Sequence, residues 1–377
     1  MFFVTFMALF LGTSFYIALR FYQGVSPLCQ GVSFWWVAGV FFLLTAVLMM
    51  GFARSLLPFP EGLKRFFGSV GCIYMGIFIY LLVYTALADI VMLAPRLMRL
   101  GFTTHRYFKT FLTGSVLLLT CITCVYGFIH ARQINRVEYK VEIAGKQDIS
   151  DLNIVLLSDL HLGALGSESR LADIVEAINE QKPDVVCISG DLFDSDFSSI
   201  RDPDAAIATL QGIRSTYGVY ACLGNHDAGK TAGQMVSFLE KANIALLGDT
   251  YTVIDNRLIL AGRLDRSPIG GYAAMEQKSL PENFADVDPT MPVIMLDHNP
   301  ADVNSYGSDV DLILCGHTHK GQLFPGSVFT DMMYDVDYGY YRKDSNSPHV
   351  IVTSGIGYWG MPMRVGSDCE LVTIRFE

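Results

Sequence analysis

Four apolar blocks fill the first third of the chain, at about residues 2–19, 32–52, 69–94 and 108–130. Each runs to ~18 residues or more, enough as helix to cross ~30 Å of hydrocarbon. The first block has no basic n-region and no small-residue cleavage site, so it reads as a span and not as a signal peptide. The segments between blocks are short and basic (RSLLPFPEGLKRFF, RLMRLGFTTHRYFK), as in loops held at a charged membrane surface. Four spans place both termini on one side. Its flanks hold Arg54, Lys64, Arg65, Arg132, Arg136 and Lys140, against Arg20, Arg96, Arg99, Arg106 and Lys109 opposite. Loop charge therefore does not set the orientation. Asp89, near a block end, is the only acidic residue inside the blocks, which favours an anchor over a transport pathway.

After residue 131 the composition changes. NRVEYKVEIA alternates like a strand with one face in water, and from 151 short apolar runs alternate with amphipathic helical patterns. The domains expected are a transmembrane bundle over 1–131, a linker and first strand over 132–150, and an α/β layered domain over 151–377. Strands are expected at 152–158, 184–189, 217–223, 257–262, 292–297, 310–315, 348–354 and 370–376. Helices are expected at 167–181, 202–215, 231–242 and 299–305. The segments 264–291 and 325–347 read as long and irregular. Residues 1–145 carry 11 Lys/Arg and 4 Asp/Glu, net +7; the remainder carries 16 and 33, net −17, summing to the −10 of the whole. An acidic second part argues against nucleic acid, whose phosphates need clustered cations, and suits bound divalent ions. Cys187, Cys222 and Cys315 sit in apolar runs and read as small buried apolar groups. Cys121 and Cys124 form a CxxC inside a span, where redox chemistry is not expected.

Five of the apolar runs end in potential metal ligands. LNIVLLSDLH delivers Asp159 and His161, and DVVCISGD delivers Asp191. GVYACLGNHD delivers Asn225, His226 and Asp227, PVIMLDH delivers Asp297 and His298, and VDLILCGHTH delivers His317 and His319. Taken singly, each has a bland reading: DxH occurs at strand ends without metal, and GD or GNHD can be turns. Five in a row, each after its own strand, point to the crevice beyond the strand ends of an open α/β sheet. Imidazoles suit Zn, Fe and Mn, and carboxylate or amide oxygens suit harder ions. Seven such ligands exceed the needs of one ion. Two ions sharing a carboxylate would activate water and neutralise phosphoryl oxygens.

The ordered set DxH, GD, GNHD, H and GHTH resembles the calcineurin-like metallophosphoesterase superfamily. The likeness spans 159–319, and flanking strands extend it over about 150–377. It implies a four-layer α/β/β/α sandwich with a dinuclear site at one edge. By that likeness Asp159, His161, Asp191 and His319 hold one metal, and Asp191, Asn225, His298 and His317 hold the other, with Asp191 bridging. His226 assists the leaving oxygen and Asp227 orients it. GDLFDSD lacks the arginine of the protein Ser/Thr phosphatase form GDxVDRG. GHTHKGQ is similar to the GHTHGGQ of bacterial membrane-associated members, with Lys320 in place of a glycine, and SGIGYWGMPMRVGSDCELVTIRF is similar to that branch down to Arg364.

The expected protein is thus an integral-membrane phosphoesterase of a bacterial cell membrane, with two divalent ions, Mn first and Fe or Zn as alternatives. A metal-bridging hydroxide would attack a phosphate ester, membrane-associated or lipid-linked because the site is tethered near a bilayer. The likeness leans towards a catalytic domain outside the cytoplasm. Substrate contacts are expected from Arg263, Asp265, Lys320, Gln322 and Arg364, since an Arg fork matches phosphate. Tyr334, Tyr338, Tyr340, Tyr341, Tyr358 and Trp359 read as a groove lining or as packing. Other readings are a pyrophosphatase of a nucleotide-sugar lipid (UDP-diacylglucosamine type), a metal- or phosphoester-binding membrane sensor without turnover, and a transporter with an appended domain.

Overall fold

The apolar blocks fold as long helices because their residues have few polar groups to compete with the backbone. A computed structural model describes residues 2–54, 57–105, 107–272, 275 and 288–377, in two units, Met1–Phe128 and Ile129–Glu377. The first unit contains α1 (Phe2–Val25), α2 (Phe34–Phe52), α3 (Glu61–Val91), the short α4 (Leu93–Leu97) and α5 (Phe108–His130). The Ser33 side chain caps α2 by accepting from the Trp35 N–H. Three stretches, Phe34–Phe52, Gly62–Leu97 and Phe108–His130, are long and apolar enough to cross a membrane. α1, at 24 residues, has the length for the same crossing. α3 starts eight residues before its apolar block (Glu61 against 69), because a helix continues past the hydrocarbon into polar sequence that hydropathy does not count. Ile17, Ala38, Phe41, Leu48, Tyr74 and Phe78 pack inward, while Trp36, Leu43, Phe111 and Leu118 stay more than half exposed. An apolar exterior of this extent needs an apolar solvent. Hydroxyl pairs join helices inside: Ser14 with Thr45 at 2.6 Å and Tyr84 with Thr123 at 2.7 Å.

Among the described residues the second unit holds twelve strands: β1 (Ile134–Val141), β2 (Asn153–Leu157), β3 (Val185–Ser189), β4 (Val219–Cys222), β5 (Ile244–Leu246), β6 (Thr250–Ile254), β7 (Leu258–Gly262), β8 (Val293–Leu296), β9 (Leu312–Cys315), β10 (Gly339–Tyr341), β11 (His349–Val352) and β12 (Cys369–Phe376). Its helices are α6 (Leu171–Glu180), α7 (Pro203–Leu210), α8 (Ala232–Lys241) and α9 (Gly326–Met333). The strands form two six-stranded sheets, ordered β1-β12-β2-β3-β4-β5 and β10-β11-β9-β8-β7-β6. β2 to β5 run parallel, as do β7, β8, β9 and β11; the antiparallel pairs are β12 with β2, β6 with β7 and β10 with β11.

Period-two alternation splits each central strand between two cores. Val155, Val186 and Ala221 face Ile174, Ile178, Met235 and Phe238 of α6 and α8, while Ile154, Leu156 and Cys187 meet Leu260, Ile294 and Leu314 across the sheet interface. On the outer face of the second sheet, Ile259, Met295 and Ile313 pack on Val303 and Tyr306, the first of them in a 3₁₀ segment, Pro300–Ser305. The four layers are therefore α/β/β/α with a thin fourth layer.

The segment 325–347 departs from expectation: it contains α9 and β10 and is not irregular. β10 is three residues long, and α9 buries none of its residues, so neither produces the apolar periodicity that announces an element. β5 and β6 escape notice for the same reason. The helix expected over 202–215 stops at Leu210, before Gly212, and starts where Asp202 accepts from the Ala205 N–H with Pro203 behind it. Most of the segment 264–291 lies outside the described residues.

Leu156 is fully buried between the sheets. Leu156→Ala is expected to destabilise the second unit by about 2–5 kcal/mol and Leu156→Met by less than about 1.5 kcal/mol, measured on the full chain in detergent by urea unfolding. Equal midpoints for the two variants would mean that the interface tolerates a cavity and is not tightly packed.

Candidate metal centre

All five motifs leave their strands at C-terminal ends: those after β2, β3 and β4 from the first sheet, those after β8 and β9 from the second. The chain must turn at once for the side chains to point into one space, and the backbone records that turn. Asp159, His161, Asp191, His317 and His319 have φ of 57°, 48°, 51°, 72° and 49°. Asp, Asn and His are the non-glycine residues that enter this left-handed region most readily, and non-glycine residues held there cluster at functional sites. Where even less room is left, glycine stands. A Cβ on Gly190 would lie 2.7 Å from the Gly224 nitrogen and from His298 Nδ1, and one on Gly316 would strike Ser158 Oγ and Asp159 Oδ2. The two sheets are stitched behind the site. Ser158 Oγ and His298 Nδ1 each donate to the Ser189 carbonyl at 2.7 Å, and Ser189 Oγ donates to the Leu314 carbonyl at 2.9 Å.

The side chains gather into two neighbouring sets, Asp159–His161–His319 and Asp191–His298–His317, and a third group, His161–Asp194–His226, adjoins the first through His161. In the first, His161 Nε2 lies 3.1 Å from His319 Nε2, which lies 3.3 Å from Asp159 Oδ1. In the second, His298 Nε2 lies 3.2 Å from Asp191 Oδ2 and 3.3 Å from His317 Nδ1, which is 2.9 Å from Asn225 Oδ1. Asp191 Oδ2 also lies 3.8 Å from His161 Nε2, so this one oxygen stands between the sets. Ligand atoms ~2.1 Å from a common ion and set at tetrahedral to octahedral angles are roughly 3.0–3.4 Å apart. Most spacings within the sets fall in that range, the exception being His161 Nε2 to Asp159 Oδ1 at 4.0 Å, and the donors suit a borderline divalent ion. Asp159, His161 and His298 are fully buried and Asp191 is nearly so. Burying carboxylates and imidazoles this way is costly unless a cation is shared among them.

The protein itself prepares these groups. Because Nδ1 of His298 is committed to the Ser189 carbonyl, its Nε2 lone pair faces the set. The His317 N–H donates to the Asp159 carboxylate at 3.1 Å. Burial pushes the Asp159 carboxyl up. Burial acts on Asp191 in the same direction, but His298, His161 and His226 outweigh it and hold that carboxyl low. Burial lowers His317 to about 3 and, with Arg364 beside it, holds His319 well below the imidazole range. Both rings are thereby kept neutral, the form that binds metal.

His226 sits at the mouth, its Nδ1 in a short hydrogen bond to Ser195 Oγ and its ring 5.2 Å from that of His161. Burial lowers its pKa, against the pull of Asp191. Asp227 does not take the place expected of it beside the His226 ring. Its two oxygens accept from the N–H groups of Phe193 (2.8 Å) and Gly224 (2.9 Å), tying the β3 loop to the β4 loop. The reason is burial: a carboxylate pushed up to about 7 by desolvation and Asp191 needs donors close by, and backbone amides supply them. Ser195 was not anticipated. Its only signal was its place four residues after Asp191, in the polar run GDLFDSD.

The five expected substrate contacts divide. Arg263 is buried, donates to the Tyr306 hydroxyl at 3.3 Å and lies 3.9 Å from Asp249. Gln322 Nε2 donates to the carbonyls of Trp359 and Met361, and its Oε1 accepts from the Trp359 N–H. Arg364 is fully buried; its Nη2 hydrogens go to Ser354 O (2.7 Å) and Gly357 O (2.6 Å), and Nη1 holds His319 O at 2.9 Å. These three fix loops around the site. Asp265 is buried with Oδ2 lacking a partner among the described residues. Lys320 has φ 49°, which is why a glycine would suit the position, and its Nζ stacks 3.9 Å from the Tyr338 ring centroid. Of the aromatics, Trp359 lies 6.1 Å from His226 and Tyr334 6.1 Å from His317. Tyr358 is buried against Arg170, and Tyr340 pairs with His349.

Residues 152–321, which contain all five motifs, match the model of the family described as calcineurin-like phosphoesterase. An uncharacterized metallophosphoesterase of Helicobacter pylori is 32% identical over 60% of this chain and 60% of its own length. A transmembrane protein with metallophosphoesterase domain from Danio rerio is 34% identical over 70% and 62%, so the likeness is not confined to bacteria. The phosphodiesterase YaeI of Escherichia coli is 30% identical over 56% of this chain and 77% of its own. The chain spans about three fifths of the length of the first two of these relatives. The motif order, the strand-end geometry and these alignments together place the chain in the calcineurin-like metallophosphoesterase family.

Proposed function

We propose that the chain is a membrane-anchored, metal-dependent phosphoester hydrolase with a dinuclear site. The observation that carries this reading is the gathering of seven donors, five of them buried, into two neighbouring sets with Asp191 Oδ2 between them. Asp159, His161, Asp191 and His319 would hold one ion, and Asp191, Asn225, His298 and His317 the other, Mn being the first choice. When bound, such a pair neutralises charge on phosphoryl oxygens and lowers the pKa of coordinated water.

The remaining chemistry belongs to the chain. His226, with Nδ1 engaged by Ser195, has Nε2 left to give a proton to the departing ester oxygen. Asp227 keeps the two loops that carry Asp191 and His226 in register. Lys320, next to the ligand His319 in sequence, would attract an ester phosphate, and Trp359 and Tyr334 would wall the mouth. Four N-terminal helices anchor this domain, and a membrane-associated or lipid-linked phosphate ester is the substrate that such tethering serves. The likeness to a relative named as a phosphodiesterase supports a diester.

Three outcomes test the reading, with bis(p-nitrophenyl) phosphate and Mn as probes. Asp191→Asn is expected to lose stoichiometric metal and to fall to background hydrolysis; equal turnover by variant and wild type ends the proposal. His226→Gln should keep its metal and lose about 10²–10⁴-fold in kcat, and an unchanged kcat would remove it from proton transfer. Lys320→Gly relieves the left-handed backbone but loses the ring contact, so stability should move by less than about 1 kcal/mol. Its KM should rise while kcat holds, and an unchanged KM would exclude Lys320 from substrate binding.

A further inference from the structure

The helical unit contains a cavity, lined by charged as well as apolar side chains, that the catalytic reading does not use. It lies between α1, α3, α4 and α5 and opens to solvent. Its walls include Arg20, Thr85, Asp89, Arg96, Lys109 and Thr113. Asp89 organises one side: Arg20 Nη2 lies 2.8 Å from Oδ2, Arg96 Nη1 3.4 Å from Oδ1, and the Tyr16 hydroxyl donates to Oδ2 at 2.7 Å. Three cations face one carboxylate, so the cavity carries a net charge of +2.

Two buried polar atoms of the lining have no hydrogen-bond partner among the described residues, Arg20 Nε and Thr85 Oγ1. Thr85 is 4% exposed. An unpaired buried donor is costly, and here two of them line the same positively charged space. The groups also share a level. Arg20 is five residues before the end of α1, Asp89 two before the end of α3, and Lys109 second in α5. Helix ends of spans this long fall at the depth of lipid head groups, where basic pockets between helices take anionic phosphates. Guanidinium forks match phosphate oxygens in pairs, while an ammonium adds a point charge.

We propose that this cavity is an anion site that takes a phosphate group, carried by a lipid head group or free in solution. Arg96 and Lys109 supply the charge at the mouth. Arg20 Nε–H and the Thr85 hydroxyl supply the donors within, and Asp89 holds the two arginines in place. The site is independent of the metal centre and stands or falls without it.

Native mass spectrometry of the full chain released from detergent tests the site, with phosphatidylglycerol, diacylglycerol and inorganic phosphate as probes. Wild type is expected to retain a single phosphatidylglycerol or phosphate and no diacylglycerol. Arg96→Gln with Lys109→Gln should weaken that binding about ten-fold or more, and Arg96→Lys with Lys109→Arg should restore it. Thr85→Val, which leaves every charge in place, should weaken it several-fold and so reports even if the double variant misfolds. Lys64→Gln with Arg65→Gln, which removes as much charge elsewhere, should change nothing. Lipid that survives excess inorganic phosphate identifies the head group as the source; displacement identifies the free anion. Retention of diacylglycerol as tightly as phosphatidylglycerol would overturn the proposal, as would binding to neither phosphate probe, or binding that Thr85→Val and the double glutamine variant leave intact.

Discussion

Burial of charge is the constraint around which the second unit is arranged. Asp159 and Asp191 are buried among imidazoles, next to an apolar core that has no means of stabilising them. Desolvation alone would protonate both carboxyls. Only Asp191 is held low by the histidines around it, while Asp159 stays raised. An arrangement so one-sided is stable when cations are shared among the donors, and the donors are clustered closely enough to be candidate ligands of such ions. Stability and chemistry are therefore supplied by the same contacts.

Parallel strands make the convergence possible. Their C-terminal ends lie along one edge in both sheets, so two layers contribute to a single crevice. What converts proximity into a site is the left-handed turn at each strand end. Five candidate ligands adopt it, and glycines at 190 and 316 leave the space that the turned residues need. Behind them a few buried groups hold the turns: the Ser189 carbonyl with two donors, Asp227 across two loops, and Arg364 with every donor on its terminal nitrogens committed. Arg263 and Gln322 work in the same way, and their burial explains why they are walls and not open arms for a substrate.

The first unit is built for a different solvent. Its outward faces are apolar and its polar pairs point inward, the reverse of the second unit. Hydroxyl pairs and the Asp89 ion pairs give the helices directional contacts that apolar packing in lipid does not supply. The excess of cations over Asp89 goes beyond what helix association requires, which is why that cavity reads as a binding site and not as glue.

Much of this was legible in the sequence, because the signals were local. Apolar runs of membrane length, buried strands, and a potential ligand at the end of each run depend on residues within ten positions of one another. The order of the five motifs was enough to name the family resemblance. Local signals did not announce α9, β5, β6 or β10, which are short and half exposed and have no apolar face to repeat. Nor could they assign partners across the fold. Asp227 next to His226 in sequence suggested a contact that burial redirected to Phe193 and Gly224, and Ser195, 31 residues away, took the ring nitrogen. The sequence by itself determined which residues end the strands, since hydrophobicity and turn chemistry act along the chain. Only the tertiary structure decided which of those residues touch, because distances among buried polar groups are set by how the two sheets pack and where each desolvated atom finds its partner.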